Sequence, residues 1–288
     1  MATPLIPKAV TDAKARSIEQ WTADPCGPPA ENTRDLLTAR RAYAPWMANA
    51  LDYQGTAGLN ILDVGCGQGI DLCEYALAGA TVTGIDLTPR HVQLARRHLI
   101  DLDLEGTVVE GDAEDLPFPD SSFDRVSSNG VLHHTPDMPA ALREIRRVLR
   151  PGGQAVVIVY NHGSVHYWTE QFFHQGIIKR QLLRDRSMAN LLSANVEFST
   201  IGARPLVNVY GRRQLQRMLK GAGFRDVRVK GSPFMPDEGY VIRRLPQRVL
   251  EMMSRLRLGW YLIGKARHQL DGDDIRGGPS RPPAAVRP

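Results

Sequence analysis

Apolar and polar positions along this chain follow two periods in turn. Short runs rich in aliphatic and β-branched residues occur at Ile61-Leu62-Asp63-Val64, Thr81–Asp86, Thr107–Glu110, Arg125–Ser128 and Gln154–Tyr160, and each has the length of a buried strand. Between them the apolar residues fall three and four apart, which predicts helices. One carries Leu72, Tyr75, Ala76 and Leu77, with Gly79 past its end, and a second carries Val92, Leu94, Ala95 and Leu99 after a Thr88 cap and Pro89. A third, Met138 to Leu149, has Ala141, Leu142, Ile145 and Val148 on one face and stops at Pro151-Gly152-Gly153. Strand and helix alternating with this punctuation predict an α/β fold with a doubly wound, mostly parallel sheet.

Two helical stretches precede the first strand, Lys8 to Trp21 and about Asn32 to Tyr53, separated by Asp24-Pro25-Cys26-Gly27-Pro28-Pro29. Residues 161–209 interrupt the alternation, with Trp168, Phe172, Phe173, Ile177, Ile178, Leu182 and Leu183 at helical spacing and basic residues between them. The pattern resumes with a helix over Gly211 to Ala222, a strand over Val227 to Lys230 and a helix over about Pro246 to Leu256. Gly, Pro and Asp dominate from Asp271 onward, so a disordered tail is expected over 271–288.

Composition narrows the class. The 288 residues are 42% hydrophobic, enough for a sizeable core. The apolar runs are far shorter than a membrane span, and Met1 to Val10 has no signal-length apolar run, so no span and a cytoplasmic location are expected. Three cysteines, Cys26, Cys66 and Cys73, without C-x-x-C or Cys/His ligand spacing indicate reduced thiols and no metal site. Residues 1–140 carry a balance of −10 and residues 141–288 one of +15. The basic half could meet an anionic group, but its arginines are not interleaved with aromatics as base stacking would require, so no nucleic acid is expected.

The candidate chemistry lies at Asp63-Val64-Gly65-Cys66-Gly67-Gln68-Gly69, where the first strand breaks into a turn with glycine at every second position. Gly65, Gly67 and Gly69 let a ligand approach the main chain, and the helix that follows aims free N–H groups at it. The dinucleotide fingerprint G-x-G-x-x-G needs its third glycine where Ile70 stands. Asp63 would repel a pyrophosphate and attract an ammonium. Asp86, about twenty residues on, suits the two hydroxyls of a ribose.

The stretch D-V-G-C-G-Q-G closely resembles motif I of the class I S-adenosylmethionine-dependent methyltransferases, and G-I-D-L-T-P, G-D-A-E-D-L-P-F-P-D-x-S-F-D, H-H-T-P-D and R-V-L-R-P-G-G resemble later motifs of the type 11 group. The resemblance implies a Rossmann-like, seven-stranded sheet whose last strand, within Gly259 to Ala266, inserts antiparallel. It implies S-adenosyl-L-methionine as cofactor. Asp63 and the loop of Gly65, Cys66, Gly67 and Gly69 would hold its methionine part, Asp86 and Leu87 the ribose side, and Asp112, Ala113 and Leu116 the adenine. Asn129, after strand four, completes the set. The implied organisation is a helical cap over 1–56, a cofactor-binding core over 57–160, a substrate-pocket insertion over 161–209 and the rest of the sheet over 210–270. The Asn/Asp-Pro-Pro-aromatic signature of enzymes that methylate nucleic-acid amines is missing, Ser128-Asn129-Gly130-Val131 standing in its place.

The expected activity is methyl transfer to a small molecule or peptide, with a hydroxyl or carboxylate oxygen favoured. Arg180, Arg184, Arg212 or Arg213 would orient an anionic substrate, and His133, His134, His162 and His166 are the candidate bases. Trp21 and Tyr43 are further candidates for the active-site wall. The alternatives are carbon or nitrogen methylation of a lipid or secondary metabolite, which Trp168, Phe172 and Phe173 would suit, a nicotinamide-dependent oxidoreductase, and a cofactor-binding protein without transfer activity. The oligomeric state is left open.

Overall fold

A computed structural model describes residues 8–26, 32–234 and 246–269. Its centre is one seven-stranded sheet in the order β3-β2-β1-β4-β5-β7-β6. The strands are β1 (Asn60–Val64), β2 (Thr81–Asp86), β3 (Thr107–Glu110), β4 (Phe123–Asn129), β5 (Leu149–Tyr160), β6 (Arg225–Gly231) and β7 (Tyr261–Arg267). β7 runs antiparallel to both its neighbours, while the pairs from β3 to β5 are all parallel. The doubly wound sheet with an antiparallel last strand is thus as expected. The expected tail over 271–288 lies outside the described residues.

Side chains alternating along β1 feed two cores. Leu62 and Val64 join the cluster packed under α6 (Met138–Val148) and α9 (Arg212–Gly221). Ile61 joins the opposite cluster, with Leu72 and Tyr75 of α4 (Ile70–Leu77) and Val92, Ala95 and Leu99 of α5 (Pro89–Asp101). A sheet covered on both faces hides its strand sides from water, so ligand chemistry is left to the carboxyl ends of the strands.

Several boundaries differ from the sequence reading for identifiable reasons. The stretch from Asn32 to Tyr53 is two helices, α2 (Thr33–Tyr43) and α3 (Trp46–Leu51), because Pro45 cannot donate the N–H that would continue the first. β5 begins at Leu149 rather than Gln154, since Leu149 already pairs with Phe123 across a register shift. The insertion folds as a helix with the wide i→i+5 hydrogen bonding of a π-helix over Tyr167–Ile178, followed by α7 (Gln181–Asp185) and α8 (Met188–Asn195). The last helix is α10 (Gln247–Arg255). The first helix, α1 (Lys8–Ala23), packs against α5 and is tied to the insertion, where Gln20 donates to the Phe198 carbonyl at 2.7 Å and Thr200 donates to Asp24 at 2.8 Å. Among the described residues, no helix is long and apolar enough to cross a membrane.

Candidate active site

The carboxyl ends of β1, β2, β3 and β4 open into a cavity of about 260 Å³ that α1 and the insertion cover. Gly65 sits at the end of β1 with φ +71, and a Cβ there would come within 2.3 Å of Val131, so only glycine fits the turn. Gly67 also holds a positive φ and turns its N–H to Asp86 Oδ2 at 2.9 Å. Gly69 lies beyond the cavity lining and serves packing, because a Cβ there would meet Ala95 of α5 at 2.8 Å.

Carboxylates dominate one side of the cavity. Asp86 also accepts from the Thr88 N–H at 2.9 Å and sits 3.2 Å from His91 Nδ1. Burial alone would lower the His91 pKa, but its hydrogen bonds to Asp86 and Cys26 prevail and push it up to about 10. Asp71, in the first turn of α4, accepts from Tyr53 and Asn129 at 2.7 Å and from Arg40 Nη2 at 3.2 Å. Asp63 lies behind this group, where it accepts from Ser127 at 2.8 Å. Burial first, and then the neighbouring Asp71 carboxylate, raise the Asp63 pKa. At the end of β3, Lys14 of α1 donates to Asp112 at 2.5 Å and also pairs with Glu114.

The opposite wall has different chemistry. His134 Nδ1 lies 2.6 Å from the Leu206 carbonyl, which can only accept, so Nδ1 carries the proton and Nε2 faces Glu197 Oε1 at 3.5 Å. The Tyr160 hydroxyl donates to the same Glu197 oxygen at 2.6 Å. Burial tends to raise the Glu197 pKa, but the bond and charge of the His134 ring when protonated, with the Tyr160 hydroxyl, hold the pKa below its usual value. Trp21 stands edge-on to His134 at 5.5 Å between ring centroids and stacks on His91 at 6.3 Å, joining the two walls.

Comparison with known proteins gives these walls a family. A family model described as a methyltransferase domain matches residues 62–157. A Mycobacterium ulcerans protein named "probable phthiotriol/phenolphthiotriol dimycocerosates methyltransferase 2" is 32% identical over 63% of this chain and 68% of its own length. The chain belongs to the S-adenosylmethionine-dependent methyltransferases. A Listeria monocytogenes demethylmenaquinone methyltransferase is 36% identical over 40% of this chain and 50% of its own. The fold is that of a Burkholderia thailandensis 1,6-didemethyltoxoflavin-N1-methyltransferase solved with S-adenosylhomocysteine, at TM-score 0.52 and 21% identity over 93% of each chain. The chain spans from about two fifths to about two thirds of the length of the curated relatives it matches.

The cofactor of these methyltransferases is S-adenosylmethionine, and the carboxylates of Asp71, Asp86 and Asp112 in the cavity lining fit its ammonium and hydroxyl groups. Of the residues expected around it, Gly65, Cys66, Gly67, Asp86, Leu87, Asp112, Ala113 and Asn129 line the cavity, whereas Asp63 lies beneath it. Leu116 points into the core under the sheet, its N–H donating to Glu144 at 2.9 Å. Among the four candidate histidines, His134 alone lines the cavity. His133 is fully buried against Tyr160, its ring held neutral by burial, while His162 is exposed and packs on Tyr167, and His166 packs on Trp260. Trp21 lines the cavity and Tyr43 does not. Arg180, Arg184, Arg212 and Arg213 all lie outside it.

Lys14, Arg40, Asp71, His91 and Glu197 were not anticipated. Arg40 meets Asp71 from 31 positions away and Glu197 meets His134 across 63, so no local period marks either pair. The one available signal was Asp71 in the first turn after the glycine loop.

Proposed function

We propose that this methyltransferase transfers its methyl group to the hydroxyl oxygen of an uncharged, largely apolar small molecule. The observation that carries this reading is the His134–Glu197 contact in the cavity wall. A carboxylate at that wall repels an anionic acceptor, and the arginines once expected to orient one lie elsewhere, so a carboxylate substrate is disfavoured. A neutral hydroxyl has no such penalty. The names of the Mycobacterium and Listeria relatives, which refer to lipid and quinone substrates, favour an apolar acceptor as well.

The bound cofactor supplies an electrophilic methyl carbon. The glycine turn and the carboxylates of Asp71, Asp86 and Asp112 would hold it. His134 acts at the other wall: with Nδ1 anchored on Leu206, Nε2 takes the hydroxyl proton, and Glu197 stabilises the positive ring that results. Tyr160 fixes the Glu197 carboxylate. Trp21 and the insertion keep water away while acceptor and methyl carbon are held in line, an arrangement that can supply about 7–11 kcal/mol.

The test is His134→Ala assayed with an alkylphenol and S-adenosylmethionine. Loss of the base should reduce kcat by about 10²–10⁴-fold with little change in cofactor affinity. Retention of more than about a tenth of the turnover would remove His134 from this role.

A further inference from the structure

The insertion that supplies Glu197 to the cavity also carries an apolar surface that none of the described residues covers. Along the π-helix, Trp168, Phe173, Ile177 and Ile178 are about half exposed, and Leu183 in α7 is 78% exposed. Bonding from i to i+5 brings Trp168, Phe173 and Ile178 onto one stripe of that helix. A contiguous exposed apolar patch of this kind marks an interaction site rather than ordinary surface.

Charge indicates the partner. Every exposed charged residue from 167 to 187 is a cation: Lys179, Arg180, Arg184 and Arg186. The two acids in this stretch are turned to other partners, Glu170 to His174 at 2.8 Å and the buried Asp185 to Arg184 and Arg204. Arg180 and Arg186 hold φ of 57° and 59°, a left-handed backbone that favours glycine, yet each position carries an arginine. Aromatic and aliphatic side chains beside a cluster of cations, with no exposed anion, match an interfacial segment that lies on an anionic bilayer.

We propose that the π-helix and α7 dock the enzyme peripherally on an anionic lipid bilayer, with Trp168, Phe173, Ile177, Ile178 and Leu183 entering the acyl boundary and the cations on the headgroups. This rests on the reading of an apolar acceptor and deepens it: the acceptor is an amphiphile that resides in the membrane and reaches the cavity from there. Two signals are needed, because neither a few half-exposed apolar residues nor four cations hold a protein on a membrane alone.

The full chain is sedimented with vesicles of phosphatidylcholine alone or phosphatidylcholine with phosphatidylglycerol. The wild type should pellet with the anionic vesicles and be released by salt. Ile177→Asp with Ile178→Asp, and separately Lys179→Glu with Arg180→Glu, should each weaken binding at least about tenfold. All four residues lie outside the cavity, so S-adenosylmethionine affinity and thermal unfolding should stay at wild-type values and exclude misfolding. Absence of pelleting, or equal pelleting of the variants, would overturn the proposal, as would a dimer in solution that the Asp variants dissolve while vesicles go unbound. Turnover of a detergent-solubilised phenol reports separately on the hydroxyl reading, so failure of docking alone leaves that reading intact.

Discussion

Lys14 of the first helix reaches Asp112 at the end of β3, with Nζ 2.5 Å from Oδ2, and so ties the cover of the cavity to its floor. The Lys14 amine is raised in pKa, since the hydrogen bonds to Asp112 and Glu114 outweigh the effect of burial. The pair is partly exposed and its worth is modest. Lys14→Met should speed amide hydrogen exchange in α1 by about two- to fivefold while leaving β1 and β4 unchanged. Equal exchange in both proteins would mean that the Gln20 and Asp24 contacts alone hold the helix.

Asp86 is expected to matter for ligand and loop alike, because Gly67, Thr88 and His91 all bond to it. Asp86→Asn should weaken S-adenosylmethionine binding by about 1.5–3 kcal/mol in calorimetry. NAD should bind neither protein. An unchanged affinity for S-adenosylmethionine would displace the ligand from this strand end.

Stability should fall as pH rises from neutral. The folded His91 pKa is about 10 against an ordinary 6.5, so the folded chain holds a proton that the unfolded chain releases. That contribution is complete below about 6.5 and is lost as pH passes through 10. Asp63, raised by burial and by Asp71, adds a contribution of the same sign over a lower range. Urea unfolding of wild type and His91→Gln from pH 6 to 10 checks this, since the variant should lose part of the slope. A steeper slope in the variant would reverse the assignment.

Much of this arrangement was legible in the sequence because short-range rules govern it. Glycine at 65 follows from a turn too tight for a Cβ, and Asp86 from its place at the end of a β-branched strand. Leu116, expected beside the adenine from its motif position, packs in the core cluster and not in the cavity lining, a placement set by long-range packing that no local period shows. The charge balance of the basic half likewise said nothing about direction, and Arg180, Arg184, Arg212 and Arg213 are exposed and lie outside the cavity. Glu197 was out of reach altogether, since what brings it to His134 is the path of the insertion and not any period along it.

The central claim is methyl transfer to a hydroxyl in this cavity, and the position of the transferred carbon tests it most directly. The protein is incubated with S-adenosylmethionine carrying a ¹³C methyl and a lipid extract of the producing cells, and the labelled product is examined by NMR. The account predicts a ¹³C methoxy carbon on an apolar molecule, formed by the wild type and strongly reduced with His134→Ala. Label on carbon or nitrogen, or on a carboxylate as a methyl ester, would contradict it.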